Sequence, residues 1–358
     1  MHFKTLPHPD PMPADRRDEA LKDPGFGTLF SDHMVTIDYD EAKGGWQGGV
    51  VGPRAPIMLD PAASVLHYAQ EIFEGMKAYR QPDGGMALFR PEANAVRFNA
   101  SAARLAMPAL PEETFIEAIR QLVCVDKDWF PTVEGGALYL RPFMIATEAF
   151  LGVRPAKQYK FMVIASPAGN YFKSGAKAVS IWISDYTRAA PGGTGAAKCG
   201  GNYAASLVPT GQAFAKGHDQ VLFLDAAERK WVEELGGMNL FFVFDDGSVI
   251  TPPLTGTILP GITRDSLITL LTEQGLSVSE APYSIDQWRA DAASGHLVEV
   301  MACGTAAVVT AVGKVAGPEG EFTIGAGGIG QSTAKLREKL VSIQTGRIAD
   351  THGWMMRI

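Results

Sequence analysis

Cysteine is scarce, with three in 358 residues (Cys124, Cys199 and Cys303). They are too few and too scattered for a disulfide framework or a zinc site, and this usage suits a reducing compartment. Long apolar runs are missing as well. No segment approaches the roughly 18–20 uninterrupted apolar residues of a membrane helix. Residues 1–23, rich in Pro, Asp and Lys, hold no apolar core of the kind a secretory signal needs, and they read as a loose arm. Positive charge is in deficit: 32 Lys and Arg stand against 39 Asp and Glu, a net charge of -7, with a pI near 5.6. Nucleic acid and anionic membranes are excluded as main partners, because the electrostatic contribution would be repulsive. No fixed-period repeat and no low-complexity tract is visible, and no metal site is expected.

What is present is a composition with 46% hydrophobic and 20% charged residues, which buries a sizeable core and excludes intrinsic disorder. The length suits two domains. Residues 34–39, 137–146 and 161–165 are β-branched or aromatic runs of strand length. Phe115, Ile116, Ile119, Leu122 and Val123 recur at helical spacing. Pro111, Glu112 and Glu113 before them suit a helix N-terminus, where negative charge meets the dipole. A second helix is predicted from Pro91 through Arg97 and Arg104 towards Met107, with Pro108 ending it. Residues 166–175 cluster Pro, Gly, Ser and Asn, as a linker does. The pattern then restarts with strands at 179–184, 221–224, 240–244 and 297–301, a helix from about Tyr203 and another around 267–271.

Three segments carry candidate chemistry. In Ala189–Tyr203, one lysine, Lys198, sits among small residues between a glycine loop and an apolar run. Loss of water at such a place favours a nucleophilic amine, although the segment alone equally suits a solvated loop lysine. Glu233 and Glu234 precede a nearly all-apolar strand, where a carboxylate costs desolvation unless it has a cationic partner. Residues 257–266 form a turn leading into a helix whose first N–H groups, near Ile262 and Thr263, make an anion site. Read singly, none of these is specific.

Together with two further segments they are. Leu66-His-Tyr-Ala-Gln-Glu-Ile-Phe-Glu-Gly-Met-Lys-Ala-Tyr79, Tyr139-Leu-Arg-Pro142, Lys198-Cys-Gly-Gly-Asn-Tyr203, Glu234-Leu-Gly-Gly-Met-Asn-Leu-Phe241 and Leu259-Pro-Gly-Ile-Thr-Arg264 resemble the branched-chain aminotransferases. These are enzymes of the fold-type IV class that use pyridoxal 5'-phosphate. The five motifs stand in the family's order and span most of the chain. The resemblance implies a mixed α/β fold of two domains with the cofactor at their interface: a small domain over 1–168, a linker over 169–178 and a large domain over 179–358.

Residue by residue, the resemblance implies that Lys198 holds the cofactor through its amine and later moves the α-proton. Glu234 would face the pyridine nitrogen. Glu233 is its neighbour, and adjacent strand residues face opposite ways, so one of the two serves. Arg97 would bind the phosphate, with Arg90 as the nearby competitor, beside Ile262, Thr263 and Thr305. Tyr203 would lie close to the ring and also line the substrate pocket. Phe73, Tyr139 and Tyr171 would line the substrate side chain, with Phe26 as a further candidate. Tyr68 and the backbone at Thr305 and Ala306 would take the α-carboxylate, and Arg141 the second carboxylate of glutamate. Gly237 stands where some relatives carry a hydroxyl, which would open one pocket wall. Ala307 and Thr310 replace the Cys-x-x-Cys pair of certain animal relatives, and Cys199 reads as a buried filler.

The implied activity is reversible amino transfer between leucine, isoleucine or valine and 2-oxoglutarate, by a cytoplasmic homodimer. D-amino-acid aminotransferase and aminodeoxychorismate lyase are the rivals within the fold class, and a scaffold that lost the chemistry is the rival outside it.

Overall fold

The computed structural model describes residues 1–133, 135–169 and 177–358. Their contacts divide the chain into two units: Met1–Lys173 with Ala197–Gly200 and Ser342–Ile358, and Ser174–Ala196 with Gly201–Val341. Among the described residues no helix is long and apolar enough to cross a membrane.

The first unit is organised around the strand Ala137–Ala146. Leu138, Leu140, Pro142 and Met144 are buried, while Tyr139, Arg141 and Phe143 are half-buried. A period of two separates these faces, and it sets Tyr139 and Arg141 side by side. The strand pairs antiparallel with Gln158–Ala168 and with Met76–Arg80 in a mixed sheet. The helix Glu112–Val125 packs Phe115, Ile119 and Leu122 into that unit's core. It begins after Pro111 with Glu112 and Glu113 in its first turn, as the charge pattern predicts.

Three expectations change. The arm is not loose: Phe3–Thr5 pairs in parallel with Gly49–Val51, and Leu21 enters the core. A side chain at Gly49 would collide with the Phe3 ring, so a glycine is what admits the strand. The helix Pro91–Arg104 stops before Pro108. Ala106 turns left-handed at φ 52°, and the Met107 and Ala106 N–H groups close back on Ala102 and Ala103, a Schellman-type end that needs no proline. Residues 342–358, read with the second half of the sequence, group with the first unit, because Met355–Arg357 pairs antiparallel with Met86–Phe89. Most of the linker segment, residues 170–176, lies outside the described residues.

The second unit has its own mixed sheet, in which Val179–Ile183, Gln220–Leu224 and Val308–Gly317 run parallel, and Val232–Leu235, Asn239–Phe244 and Leu297–Gly304 pair antiparallel with neighbours. Glu233 and Glu234 lie in a short strand of their own, Val232–Leu235, ahead of the apolar strand Asn239–Phe244. The helix Ile262–Glu273 follows the turn expected before it.

Candidate active site

In the first unit the candidate residues gather on Phe73. The Phe73 N–H donates to the Lys198 carbonyl at 2.9 Å, and the Lys198 N–H donates to Ser101 Oγ at 2.9 Å, so both sides of the lysine backbone are held. Lys198 Nζ lies 4.8 Å from the Phe73 ring centre. The Arg141 guanidinium lies 4.7 Å from the same centre. Arg141 Nη2 donates to the Tyr139 hydroxyl at 3.1 Å, and Phe26 meets Tyr139 edge to face at 5.1 Å. Any side chain at Gly75 would strike that hydroxyl. Arg141 Nε is buried with no hydrogen-bond partner among the described residues, a donor left for something the chain does not supply.

Behind this group lies a carboxylate that sequence reasoning missed. Glu74 is 0% exposed and takes Arg97 in a fork, Nε to Oε1 at 2.7 Å and Nη2 to Oε2 at 2.8 Å. Asn94 Nδ2 adds a bond at 2.8 Å. Burial alone would raise the Glu74 carboxyl, but Arg97, Lys198 and Asn94 outweigh it and hold it below the ordinary carboxylate range. Its contribution to stability is therefore present above the unfolded carboxylate's pKa, and it is lost as pH falls through the lower folded value. Glu71 is the opposite case. Burial raises it more than the Gly200 N–H and the Arg141 charge lower it.

Removing one partner of a buried ion pair strands the other charge. Glu74→Ala should lower the urea unfolding free energy of the cofactor-free chain by about 3 kcal/mol, and Glu74→Ala with Arg97→Met should recover most of that loss. An unchanged midpoint in the single variant would deny the pair any role.

In the second unit Glu234 is 2% exposed. Its Oε1 meets Arg188 Nη1 at 2.6 Å and accepts the Leu259 N–H at 3.2 Å. Arg188 is the second residue that sequence reasoning missed. It is a single cation just ahead of the glycine loop, and nothing local marks its partner. Glu233 turns to the other side and accepts from Thr257 Oγ1 at 2.6 Å. Thr194 and Asn202 tie the glycine loop together through two bonds of 2.7 Å. No side chain caps the helix that starts at Ile262, so its first-turn donors, with Thr263 buried there, suit a phosphate. Thr305 and Ala306 are half-buried in the turn after Leu297–Gly304, and Tyr203 is half-buried in Gly200–Ala204. A side chain at Gly237 would meet nothing within 4 Å.

Tyr68 does not join the Phe73 group among the described contacts. It ends the helix Ser64–Tyr68, is 41% exposed and donates its hydroxyl to the Leu151 carbonyl. Arg90 stacks on Trp354 at 5.5 Å. Tyr171 lies outside the described residues. Cys199 is buried in the first unit's core, and burial pushes the Cys303 thiol up to about 12.

Within the second unit, an uncapped helix N-terminus suits a phosphate and a buried carboxylate backed by arginine suits a protonated pyridine nitrogen; within the first, an amine and a guanidinium stand over one aromatic ring. Residues 71–315 match the family model described as amino-transferase class IV. The chain is 55% identical over 363 residues to the branched-chain-amino-acid aminotransferase of Mycolicibacterium smegmatis, covering 100% of this chain and 98% of that protein. It is 47% identical to branched-chain-amino-acid transaminase 1 of Bacillus subtilis, covering 93% and 94%. Among solved structures it resembles the T.th. branched-chain amino acid aminotransferase with pyridoxamine 5'-phosphate, at 29% identity and TM-score 0.75, covering 92% and 99% of the two chains. It also resembles the Escherichia coli enzyme, at 28% identity and TM-score 0.73, covering 91% and 98%. With the motifs, the mixed two-unit fold and these relatives in agreement, the chain belongs to the class IV aminotransferases, and within them to the branched-chain-amino-acid aminotransferases.

Proposed function

We propose that the chain moves amino groups between L-leucine, L-isoleucine or L-valine and 2-oxoglutarate in a ping-pong cycle, as a homodimer in the cytoplasm. The observation that carries the reading is the Phe73 ring with the Lys198 amine 4.8 Å and the Arg141 guanidinium 4.7 Å from its centre. Apolar surface, a reactive amine and an arginine with an unpartnered donor are what the two substrates of such a cycle need. Pyridoxal 5'-phosphate supplies a ring that takes up the electron pair released when the substrate's Cα–H bond breaks.

The chain's own residues do the rest. Lys198 would hold the cofactor by its amine, and the same Nζ would accept the substrate's α-proton and return it. Glu234 would face the pyridine nitrogen, with Arg188 as its counter-charge. Arg97, Thr305 and the first-turn N–H groups at Ile262 and Thr263 would hold the phosphate, and Tyr203 would lie beside the ring. Glu74 positions Arg97, because its two oxygens fix the plane of the guanidinium. The backbone at Thr305 and Ala306 would receive the α-carboxylate, joined by Tyr68 once its hydroxyl gives up the Leu151 carbonyl, while Phe73 and Tyr139 would receive the side chain.

Arg141 lets one pocket serve two unlike side chains. Burying methyl groups stabilises binding by roughly 0.8 kcal/mol for each CH₂, but an unpaired buried carboxylate costs several kcal/mol. Arg141→Met should therefore raise KM for glutamate and 2-oxoglutarate at least about tenfold, while leucine and isoleucine change little. Single-turnover measurement of each half-reaction tests this. Equal losses for both substrate types would assign Arg141 to the shared α-carboxylate or to the fold.

A further inference from the structure

Because neighbouring strand residues point to opposite sides, Glu233 serves a different space from Glu234. It lines a cavity of about 480 Å³ within the second unit, inside the range of small-molecule sites. The walls are mainly apolar, with Trp231, Val232, Pro253, Ile258 and Pro282. Two acids, Asp225 and Glu233, line it, and among the described residues no Lys, Arg or His does.

The two acids differ in what they have left to give. Asp225 accepts four backbone N–H groups, from Ala227, Glu228, Lys230 and Trp231. Against the effect of burial, these hold its carboxyl below the ordinary range. Its lone pairs are committed while its charge remains. Glu233 is 7% exposed and uses Oε1 to accept from Thr257 Oγ1 at 2.6 Å. Its other oxygen has no hydrogen-bond partner among the described residues. Burial above all, with the nearby Asp225 charge, raises the Glu233 carboxyl above its ordinary range against the Thr257 hydroxyl and Arg188, and a cation bound beside it would favour the carboxylate.

Burial strips most of the water from the Glu233 carboxyl, and the oxygen without a partner opens on the cavity. A group that complements it donates an N–H, which a charge-assisted hydrogen bond rewards. An anion is repelled by both acids, and a purely apolar molecule leaves the Glu233 oxygen bare. We propose that this cavity binds a small aliphatic ammonium ion, its N–H groups on Glu233 and its carbon skeleton against Trp231, Val232 and Ile258. The site is separate from the residues assigned to transamination, so its failure and theirs are distinguishable.

The test uses holoenzyme converted by glutamate to its pyridoxamine form, in which an added amine finds no aldehyde to react with. Calorimetric titration with 3-methylbutylammonium chloride should give one saturable site per chain. Glu233→Gln should weaken it at least about tenfold, as loss of a buried charge partner does. Ala226→Phe, which fills the cavity and keeps the carboxyl, should weaken it as much. The neutral isostere 3-methylbutan-1-ol should bind the wild type at least about tenfold more weakly. Wild-type affinity in either folded variant overturns the proposal, as does equal binding of the alcohol or the absence of saturable heat at millimolar amine.

Discussion

Replacing Lys198 with alanine should abolish turnover, with a loss of at least about 10⁴-fold, because one amine serves both as covalent anchor and as proton carrier. The loop itself should survive. Its shape depends on backbone bonds, the Lys198 N–H to Ser101 Oγ and the Lys198 carbonyl to the Phe73 N–H, which alanine retains. Cofactor should still bind noncovalently through the phosphate residues. Borohydride reduction of the wild-type holoenzyme followed by peptide mapping should put the label on Lys198, and Lys198→Ala should take up none. Label on another lysine removes Lys198 from its role.

Glu234→Gln should lower kcat by about 10²- to 10³-fold, the scale of losing one preorganised electrostatic partner. Glutamine keeps the size of the side chain and can still accept the Leu259 N–H, but it leaves Arg188 buried without a counter-charge. A stability loss of about 3 kcal/mol should accompany the rate loss, and Glu234→Gln with Arg188→Met should restore stability without restoring rate. That split separates the chemical role from the structural one. Glu233→Gln should leave kcat close to wild type. The reverse ranking of the two glutamates would mean that the neighbouring carboxylate faces the cofactor.

The residue pattern was most readable where a single element carried its own period. Ala137–Ala146 alternates through its middle, from Leu138 to Met144, and the helix Glu112–Val125 announces both its apolar stripe and its acidic first turn. The family motifs are equally local, since each is a short run in which glycine, lysine or glutamate stands at a required spacing. The N-terminal arm shows the opposite. Three residues at Phe3–Thr5 have too little pattern to read as a strand, and what holds them is the edge formed by Gly49–Val51.

For this protein, then, the sequence by itself determined the family, the candidate lysine and carboxylate, and the elements whose burial repeats with a helical or strand period. The tertiary structure decided the partners. Glu74 meets Arg97 from a separate element, Arg188 meets Glu234 across the glycine loop, and the C-terminal strand joins the first unit's sheet. Periodicity reports how each residue meets an average inside and outside. The identity of a buried charge's counter-charge is set by chain crossings that leave no periodic trace, because desolvation demands a partner without specifying where in the sequence it must come from.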